Sequence, residues 1–331
     1  MRDAPSYFYS AYGLTLRSNA PFPHLPVAEH GTHDVEIDLA GEAEIPAPPD
    51  QAVVHPDGVA VLVEADGCRV VTYTDAQRGA RIQLRFSRDG AHARVAWTAG
   101  IFAADVPAAM MGPLLGTCLR LRGIVCLHAG AVAIDGGAVV LLGRSGAGKS
   151  TATAALMKRG HPLITDDIAA LDPKEDGVWV RPGPGHIRLM PDVAVALGET
   201  PAELPPLLTD PGGGEGKRLL CGSSGGPVQS GPVRATALCF MERTMDGSSR
   251  PTLVPLSAKE TVPRLMRHLF IRGRPERPLG GQAFRTCALL ASTCRSHAVR
   301  GALRLEDLGE LADLIASGGE VQAREEAARK G

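Results

Sequence analysis

The sequence predicts an α/β protein with a mixed sheet, preceded by a smaller β-rich amino-terminal domain. The chain has 331 residues, which is enough for two domains of roughly 100–200 residues each. Short β-prone runs recur between turn residues over the first 105 positions. From residue 124 onward, apolar strands alternate with alanine-rich helices, which is typical of a sheet covered by helices.

Residues 1–105 are predicted to form the β-rich domain, with a role in peptide docking or scaffolding. About one β-prone run every 8–15 residues favours a small antiparallel sheet. The stretch Gly41–Asp50 is rich in proline and is predicted to be a loop. The predicted strands lie within Tyr7–Arg17, Asp34–Leu39, Val53–Val63, Arg69–Tyr73, Arg81–Arg85 and Ala91–Trp97.

Residues 106–331 are predicted to form the second domain, entered through a helix at Ala104–Arg122 in which Gly112-Pro113 marks the start or a kink. Pro205–Gly226 is predicted to be a mobile loop, and the charged tail Glu320–Gly331 a fraying helix or disorder. The predicted strands are Val125–Ala133, Ala138–Leu142, Pro162–Thr165 and Ala235–Met241, and the predicted helices are Ser150–Arg159, Ala258–Phe270, Gln282–His297 and Leu305–Ala316.

The composition of the chain limits the kinds of partner that we expect it to bind. The 35 basic and 36 acidic residues leave a net charge of −1, which argues against a broad basic surface for nucleic acid. No stretch reaches the roughly 18 uninterrupted apolar residues of a membrane span, and the amino terminus has no apolar signal region. The seven cysteines form no CxxC pair and are predicted to be reduced thiols. We therefore expect a cytoplasmic protein with no nucleic-acid or membrane partner.

The segment GRSGAGKS at 143–150 matches the phosphate-binding pattern G-x-x-x-x-G-K-[ST]. Glycines let backbone N–H groups face a polyphosphate, the lysine reaches the β- and γ-phosphates, and the serine hydroxyl can bind Mg²⁺. A predicted strand precedes the loop and a predicted helix follows it, as the motif requires. The predicted nucleotide-binding residues are Gly143, Arg144, Ser145, Gly146, Ala147, Gly148, Lys149, Ser150 and Thr151.

Two adjacent carboxylates, Asp166 and Asp167, follow at the expected end of the next strand. This is the edge of an α/β sheet at which ligands bind. One of them can serve the metal of a P-loop, and the other can accept the proton of an attacking hydroxyl. Adjacent residues of an extended chain point in different directions, so separate roles are favoured over a shared proton.

His128 lies on the apolar strand before the P-loop strand. A histidine there could neighbour the phosphates or hold an aspartate. It could equally be a partly buried histidine without a chemical role, and sequence spacing alone leaves both interpretations open.

The segment LHAGAVAIDGGAVVLLGRSGAGKSTATAALMKRGHPLITDDIAALD at 127–172 resembles the catalytic core of HPr kinase/phosphorylase. The resemblance lies in His128, the P-loop, the K-R-G-H of Lys158–His161 and the Asp166-Asp167 pair. It implies a P-loop kinase domain of the HPr-kinase type that uses ATP or another nucleoside triphosphate with Mg²⁺. It further implies that Asp166 is the general base for a seryl hydroxyl and that Asp167 helps to hold Mg²⁺. It also implies that His128 supports the phosphate or Asp166, and that the protein forms a homo-oligomer.

The wider chain is similar to the HPr-kinase-related proteins found beside lasso-peptide biosynthesis enzymes. The similarity includes YGLTLRSNAPFPHLP at 12–26, Pro184–Leu189, Lys217-Arg218 and Met241-Glu242-Arg243. It implies that the substrate is a precursor peptide, phosphorylated on a hydroxyl that is typically its C-terminal serine. Arg188, Lys217 and Arg218 are then candidates for neutralising the transferring phosphoryl group.

Other functions stay open on sequence grounds. Pro182–Met190 stands where HPr kinases carry an arginine–glycine signature loop, which argues against HPr itself and against phosphorylase activity. An HPr-type protein kinase/phosphorylase acting on a small protein nevertheless remains an alternative. So does an NTP-hydrolysing switch or regulator, although an LSGGQ-like signature and an N-K-x-D motif are both missing. For a small-molecule kinase or a phosphoenolpyruvate-carboxykinase-like enzyme, the sequence contains no matching pattern of substrate-binding arginines or metal ligands.

Overall fold

The computed structural model describes residues 5–55, 58–75, 79–208, 216–243, 250–270, 277–301 and 304–318. The chain divides into two compact units, one formed mainly by the residues up to Ile124 and the other mainly by those from Val125 onward. The domain boundary after residue 105 stays a prediction. The tail Glu320–Gly331, for which we predicted fraying or disorder, lies outside the described residues. Within the described residues, no helix is long and apolar enough to cross a membrane.

The first unit contains a sheet with the strand order β1-β2-β3-β8-β7-β6-β5-β4. The expectation of a purely antiparallel sheet is wrong, because β3 runs parallel to both β2 and β8. Alternate residues of β2 and β8 are buried, which gives the sheet one core face. The strands are β1 Tyr7–Ala11, β2 Leu14–Ser18, β3 Val35–Glu42, β4 Val53–Val54, β5 Val59–Val63, β6 Arg69–Thr74, β7 Arg81–Phe86 and β8 His92–Trp97.

Helix α1, Val106–Leu121, also belongs to this unit and follows a 3₁₀ turn at Ala103–Asp105. Pro107 occupies its first turn, where a missing N–H is tolerated. Pro113 lies inside the helix, so Gly112-Pro113 does not mark its start.

The second unit is a mixed α/β structure, as predicted. Strands β11, β17 and β19 are parallel neighbours, and antiparallel strands flank them in the order β12-β10-β11-β17-β19-β18. The amino-terminal part of β17 pairs instead with β14, which is followed in the sheet by β13 and then by β9. The strands are β9 Val125–Leu127, β10 Ala129–Ile134, β11 Gly137–Leu142, β12 Leu163–Thr165, β13 Ala169–Lys174, β14 Gly177–Val180, β15 His186–Leu189, β16 Arg218–Cys221, β17 Val233–Arg243, β18 Thr252–Pro255 and β19 Arg295–Gly301.

Helices cover both faces of this sheet. Ala129 and Ala131 of β10 belong to one buried cluster with residues of α5 and α6, whereas Val132 and Ile134 belong to another with residues of α2 and α7. The alternation along β10 therefore supplies two cores. The helices are α2 Lys149–Lys158, α3 Pro191–Ala196, α4 Gly222–Gly225, α5 Ala258–Arg267, α6 Arg277–Thr293 and α7 Leu308–Ala316, the last preceded by a 3₁₀ turn at Leu305–Asp307.

Three predicted elements differ from the structure. The single strand expected over Val125–Ala133 is interrupted at His128. The part before it, β9, pairs with β13, whereas the part after it, β10, pairs with β11 and β12. The helix expected to end at His297 stops at Thr293, because Arg295–Gly301 pairs with β17 as a strand. The loop expected over Pro205–Gly226 contains β16 and the short α4, and its residues 209–215 lie outside the described residues.

Candidate active site

The P-loop has the strand–loop–helix context that its sequence predicts. Strand β11 ends at Leu142, and α2 begins at Lys149. Gly146 and Gly148 have φ angles of +77° and +91°, in the left-handed region that favours glycine. A Cβ at Gly143 would lie 3.0 Å from the Ala147 Cβ and 3.1 Å from the Met241 carbonyl oxygen, so a side chain there would require its neighbours to shift. The amino end of α2 directs free N–H groups into the loop, which suits an anion.

Lys149 is buried beneath this loop. Its Nζ donates hydrogen bonds to the carbonyl oxygens of Gly143 at 2.8 Å and Arg144 at 3.3 Å. Burial lowers the pKa of Lys149, and the charges of Asp166 and Asp167 partly oppose that effect. The ammonium group is thus held at the first half of the loop, from which it can reach a β- or γ-phosphate.

Asp166 is the more deeply buried of the two carboxylates, with 8 % of its surface exposed. The Ser150 hydroxyl lies 3.0 and 3.2 Å from its two oxygens, and the backbone N–H of Arg188 donates to Oδ2 at 3.2 Å. Burial, with the adjacent charge of Asp167, raises the pKa of Asp166 despite these hydrogen bonds. The carboxylate is therefore a stronger base than an ordinary aspartate.

Asp167 has the opposite environment. Its Oδ1 lies 3.1 Å from His128 Nδ1, and its Oδ2 lies 3.6 Å from a guanidinium nitrogen of Arg188. Burial by itself would raise the pKa of Asp167, but the hydrogen bond from His128 and the positive charge of Arg188 lower it to about 2. Asp167 consequently stays ionised, while its neighbour has the raised pKa of a base.

A turn separates the two carboxylates. Asp167 has a φ of +73°, a left-handed backbone that aspartate tolerates better than most residues. The turn is closed by the Thr165 hydroxyl, which donates to the carbonyl oxygen of Ile168 at 2.6 Å, and by the Ile168 N–H, which donates to the Asp166 carbonyl oxygen at 2.9 Å. The backbone thus directs the two side chains to different partners.

The structure brings His128 and Arg188 into this cluster. His128 Nδ1 lies 3.1 Å from the Asp167 carbonyl oxygen as well as from its carboxylate, so both neighbours are acceptors and Nδ1 carries the proton. Sequence spacing left the role of His128 open, and its partner is Asp167 rather than Asp166. Arg188 lies on β15 and contacts both carboxylates, one through its backbone and one through its side chain.

The other two predicted phosphoryl-binding cations, Lys217 and Arg218, lie at or next to strand β16. Strands β15 and β16 are antiparallel, with Arg188 opposite Leu219 and Leu189 opposite Arg218. Alternation places Arg218 on the face of this ladder away from Arg188, and its Nε is buried without a hydrogen-bond partner among the described residues. Lys217 is exposed, and its positive charge contributes to the lowered pKa of Lys149, whereas no such effect of Arg218 is seen.

The oxygen atoms at this site suit Mg²⁺. Ser150 Oγ and the carboxylate of Asp166 are in hydrogen-bond contact, and Asp167 follows directly in the chain. Hydroxyl and carboxylate oxygens are the ligands that this hard cation prefers, and Mg²⁺ commonly binds through one or two carboxylates together with substrate phosphates. The donors present therefore fit the predicted cation.

A cleft of about 1010 Å³ opens beside the P-loop, and it contains residues that the sequence reasoning missed. The first half of the loop and His128 form one wall. Glu242 at the end of β17 and the carboxyl end of α5 form the other. The amphipathic pattern of α5 indicated only a core helix, so tertiary structure was needed to bring its polar residues here. The missed lining residues are Arg264, Arg267 and His268, whereas Glu242 was noted in the sequence only as part of the Met241-Glu242-Arg243 similarity.

His268 connects the two walls. Its carbonyl oxygen accepts a hydrogen bond from the His128 N–H at 2.7 Å, and its ring centroid lies 6.3 Å from that of Phe240. Burial, together with the positive charges of Lys149 and His128, lowers the pKa of His268 to about 4. A neutral imidazole therefore faces the cleft at physiological pH.

No protein-family model matches the chain. Curated proteins do match it over a short stretch. The chain is 35% identical over 64 residues to the HPr kinase/phosphorylase of Lachnoclostridium phytofermentans, which is 19% of this chain and 21% of that protein. It is 35% identical over 65 residues to that of a Geobacillus species (20% and 21%), and 36% identical over 67 residues to that of Peptoclostridium acidaminophilum (20% and 22%).

Among solved structures, the chain matches the Hpr(Ser) kinase/phosphatase from Coxiella burnetii with a TM-score of 0.33 and 13% sequence identity, over 62% of this chain and 96% of that one. The chain spans about a fifth of the length of the curated relatives that it matches. Over that fifth, it is similar in sequence to HPr kinase/phosphorylases.

Proposed function

We propose that this chain is a Mg²⁺-dependent kinase that transfers a phosphoryl group from ATP to a serine hydroxyl of a peptide or small protein. One observation carries the proposal. Beside a P-loop, the Asp166 carboxylate contacts the Ser150 hydroxyl at 3.0 Å, while the adjacent Asp167 carboxylate is held by His128 and Arg188. The opposite directions of their pKa shifts agree with this division into a base and an ionised metal ligand. The short similarity to HPr kinase/phosphorylases supports the same reaction class.

In the proposed reaction, the seryl oxygen attacks the γ-phosphorus while Asp166 accepts its proton. A bond forms from the seryl oxygen to phosphorus, and the bond from phosphorus to the β–γ bridging oxygen breaks, releasing the nucleoside diphosphate. Lys149 and the P-loop backbone hold the phosphates. Mg²⁺, held by Ser150 and Asp167, would neutralise charge on the phosphate oxygens. His128 keeps Asp167 in position.

Arg188 and Lys217 supply the further positive charge in this proposal. A guanidinium nitrogen of Arg188 lies 3.6 Å from Asp167 Oδ2, and the charge of Lys217 lowers the pKa of Lys149. Cations placed where negative charge accumulates are a large part of phosphoryl-transfer catalysis. The proposal assigns no such role to Arg218, because its side chain lies on the other face of the β15–β16 pair from Arg188.

The proposed acceptor is the C-terminal serine of a lasso-peptide precursor, so that the enzyme tailors a ribosomally made peptide in the cytoplasm. This part of the proposal rests on the sequence resemblance described above. The β-rich domain 1–105 would dock the peptide, and the kinase would act as a homo-oligomer. A small protein such as HPr is the alternative acceptor, since the curated relatives are named for it.

Mass spectrometry after incubation with ATP, Mg²⁺ and short peptides ending in serine tests the proposal. Transfer adds about 80 Da to the peptide, the mass of one phosphoryl group. HPr is included as a second acceptor in a parallel reaction. Nucleotide hydrolysis without a phosphorylated product on any acceptor would instead support an NTP-hydrolysing switch or regulator.

A further inference from the structure

The cleft beside the P-loop is larger than the phosphates need. Its volume of about 1010 Å³ is at the upper end of the roughly 300–1,000 Å³ of small-molecule sites. Only residues 143–147 of the P-loop line it, whereas Ser150 and Thr151 do not. The opposite wall is formed by the end of β17, with Glu242, and by the last turn of α5, which carries Arg264 and Arg267.

The charge of this wall is positive. Among the described lining residues, Glu242 is the one carboxylate, and it is already shared by two arginines. Its Oε1 accepts from Arg264 Nε at 3.0 Å, and its Oε2 accepts from Arg300 Nε at 3.3 Å. Arg264 also donates from Nη1 to the Glu260 carbonyl oxygen at 3.0 Å, and among the described residues no hydrogen bond uses its Nη2, which could therefore bind a ligand. Arg267 is exposed one helical turn further on.

The position of this wall is fixed relative to the catalytic carboxylates. Residues just after α5 are hydrogen-bonded to the β9 segment, through His128 N–H to the His268 carbonyl oxygen at 2.7 Å and Phe270 N–H to the Cys126 carbonyl oxygen at 2.8 Å. The ring of the same His128 contacts Asp167. His128 thus connects the wall that carries Arg264 and Arg267 to Asp167, which lies next to Asp166, where the proposed reaction would bring the terminal phosphate and the acceptor hydroxyl together.

We infer that Arg264 and Arg267 bind a carboxylate of the acceptor beside the serine that is phosphorylated. Guanidinium groups bind carboxylates through charge-assisted hydrogen bonds, which would set the distance between the bound anion and the reacting hydroxyl. The inference rests on the proposed function and assigns the residues that select its acceptor. The carboxylate has two sources, the free C terminus of a peptide and an acidic side chain next to the serine.

Arginines at the carboxyl end of a helix also complement the helix dipole. That structural role would change stability and leave acceptor selectivity unchanged. A selectivity measurement therefore separates the two roles.

The test compares three short synthetic peptides. One ends in serine with a free carboxylate, one ends in serine amide, and one ends in serine amide with aspartate before the serine. We expect the wild-type enzyme to prefer the free acid over the plain amide by roughly 10- to 100-fold in kcat/KM, as charge-assisted hydrogen bonds predict. Recovery of activity with the aspartate peptide would identify an acidic side chain as an equivalent source of the anion.

In Arg267→Gln and in Arg264→Gln/Arg267→Gln, the acid-to-amide ratio should fall towards one while the KM for ATP is kept. Lys259→Gln, on the exposed first turn of α5 and outside the cleft, should keep the wild-type ratio. Arg267 is exposed, so its single variant gives an answer even if loss of the Arg264–Glu242 pair disturbs folding.

Equal use of acid and amide by the wild type, or an unchanged ratio in the variants, would overturn the inference and leave the kinase proposal standing. Absence of transfer to all three peptides and to HPr, with nucleotide still bound, would overturn both.

Discussion

The Ser150 hydroxyl of the P-loop helix lies 3.0 Å from Oδ1 of Asp166, so the first turn of α2 and the end of β12 meet in one hydrogen bond. A residue that would hold Mg²⁺ is thereby in direct contact with the residue that we assign as the base. The predictions below separate the contributions of these groups.

Asp166→Asn should lower the rate of phosphoryl transfer by roughly 10²- to 10⁴-fold, because an amide cannot accept the seryl proton. Nucleotide affinity, measured by calorimetry, should stay within a few-fold of wild type. Asp50→Asn, at an exposed position in the proline-rich loop, is the matched control and should be fully active. An Asp166→Asn enzyme with the wild-type rate would rule out the base assignment.

The same variant should be more stable than wild type at neutral pH. The folded protein binds the Asp166 proton more tightly than the unfolded chain, whose carboxyl keeps its ordinary pKa of 3.8. Wild-type stability therefore falls as pH rises through the interval between these two pKa values, whereas asparagine carries no such proton.

Urea unfolding with a chelator present checks this expectation. The stability advantage of Asp166→Asn should be present at about pH 8 and shrink towards about pH 4, where both states become protonated. A constant difference between the two proteins across this range would contradict the raised pKa.

Lys217→Gln should lower kcat by at least about tenfold, since it removes a cation whose charge acts on Lys149 of the P-loop. Arg218→Gln is the comparison, because that side chain lies on the opposite face of its strand pair, and it should leave kcat near wild type. Steady-state kinetics on the phosphorylated acceptor distinguishes the two. Equal losses in both variants would mean that the face assignment is wrong.

Gly130→Ala should destabilise the protein by about 1–3 kcal/mol, as overpacking of a buried site does. The added Cβ would lie 2.4 Å from Thr153 Oγ1 and 3.6 Å from Asp166 Oδ1. Thr153→Ala removes the clashing hydroxyl, so the double variant should recover much of the loss, and chemical denaturation measures the coupling. Gly231→Ala, where a Cβ meets nothing within 4 Å, should change stability little.

Ser257→Ala should lower the free energy of unfolding by about 1 kcal/mol, because it removes the capping box that begins α5. Glu260 Oε2 accepts the Ser257 N–H at 2.9 Å and the Ser257 hydroxyl at 2.6 Å. Ser292→Ala, at an exposed position of α6, is the control. An equal effect in both variants would argue against the cap.

Local sequence was sufficient to predict the P-loop, because its glycines, lysine and serine are required at fixed spacing by one ligand. It was sufficient to place Asp166 and Asp167 at a strand end, but their different electrostatic environments depend on Arg188 and His128, which come from other elements. Likewise, Arg264 and Arg267 reach the cleft only because residues after α5 pair with β9. The first three residues of β19 were predicted as helix, because the conformation of this strand is set by pairing with the distant β17.

The left-handed backbone at Asp167 has a consequence for mutagenesis. Aspartate, asparagine and glycine are the residues that adopt this conformation most readily, so few replacements at this position change the carboxylate without also straining the turn. Asp167→Asn removes the charge and keeps the backbone preference, whereas Asp167→Ala adds a backbone penalty of roughly 1 kcal/mol to the loss of charge. An alanine scan would therefore overstate the electrostatic importance of this residue, and the asparagine variant is the one that measures it.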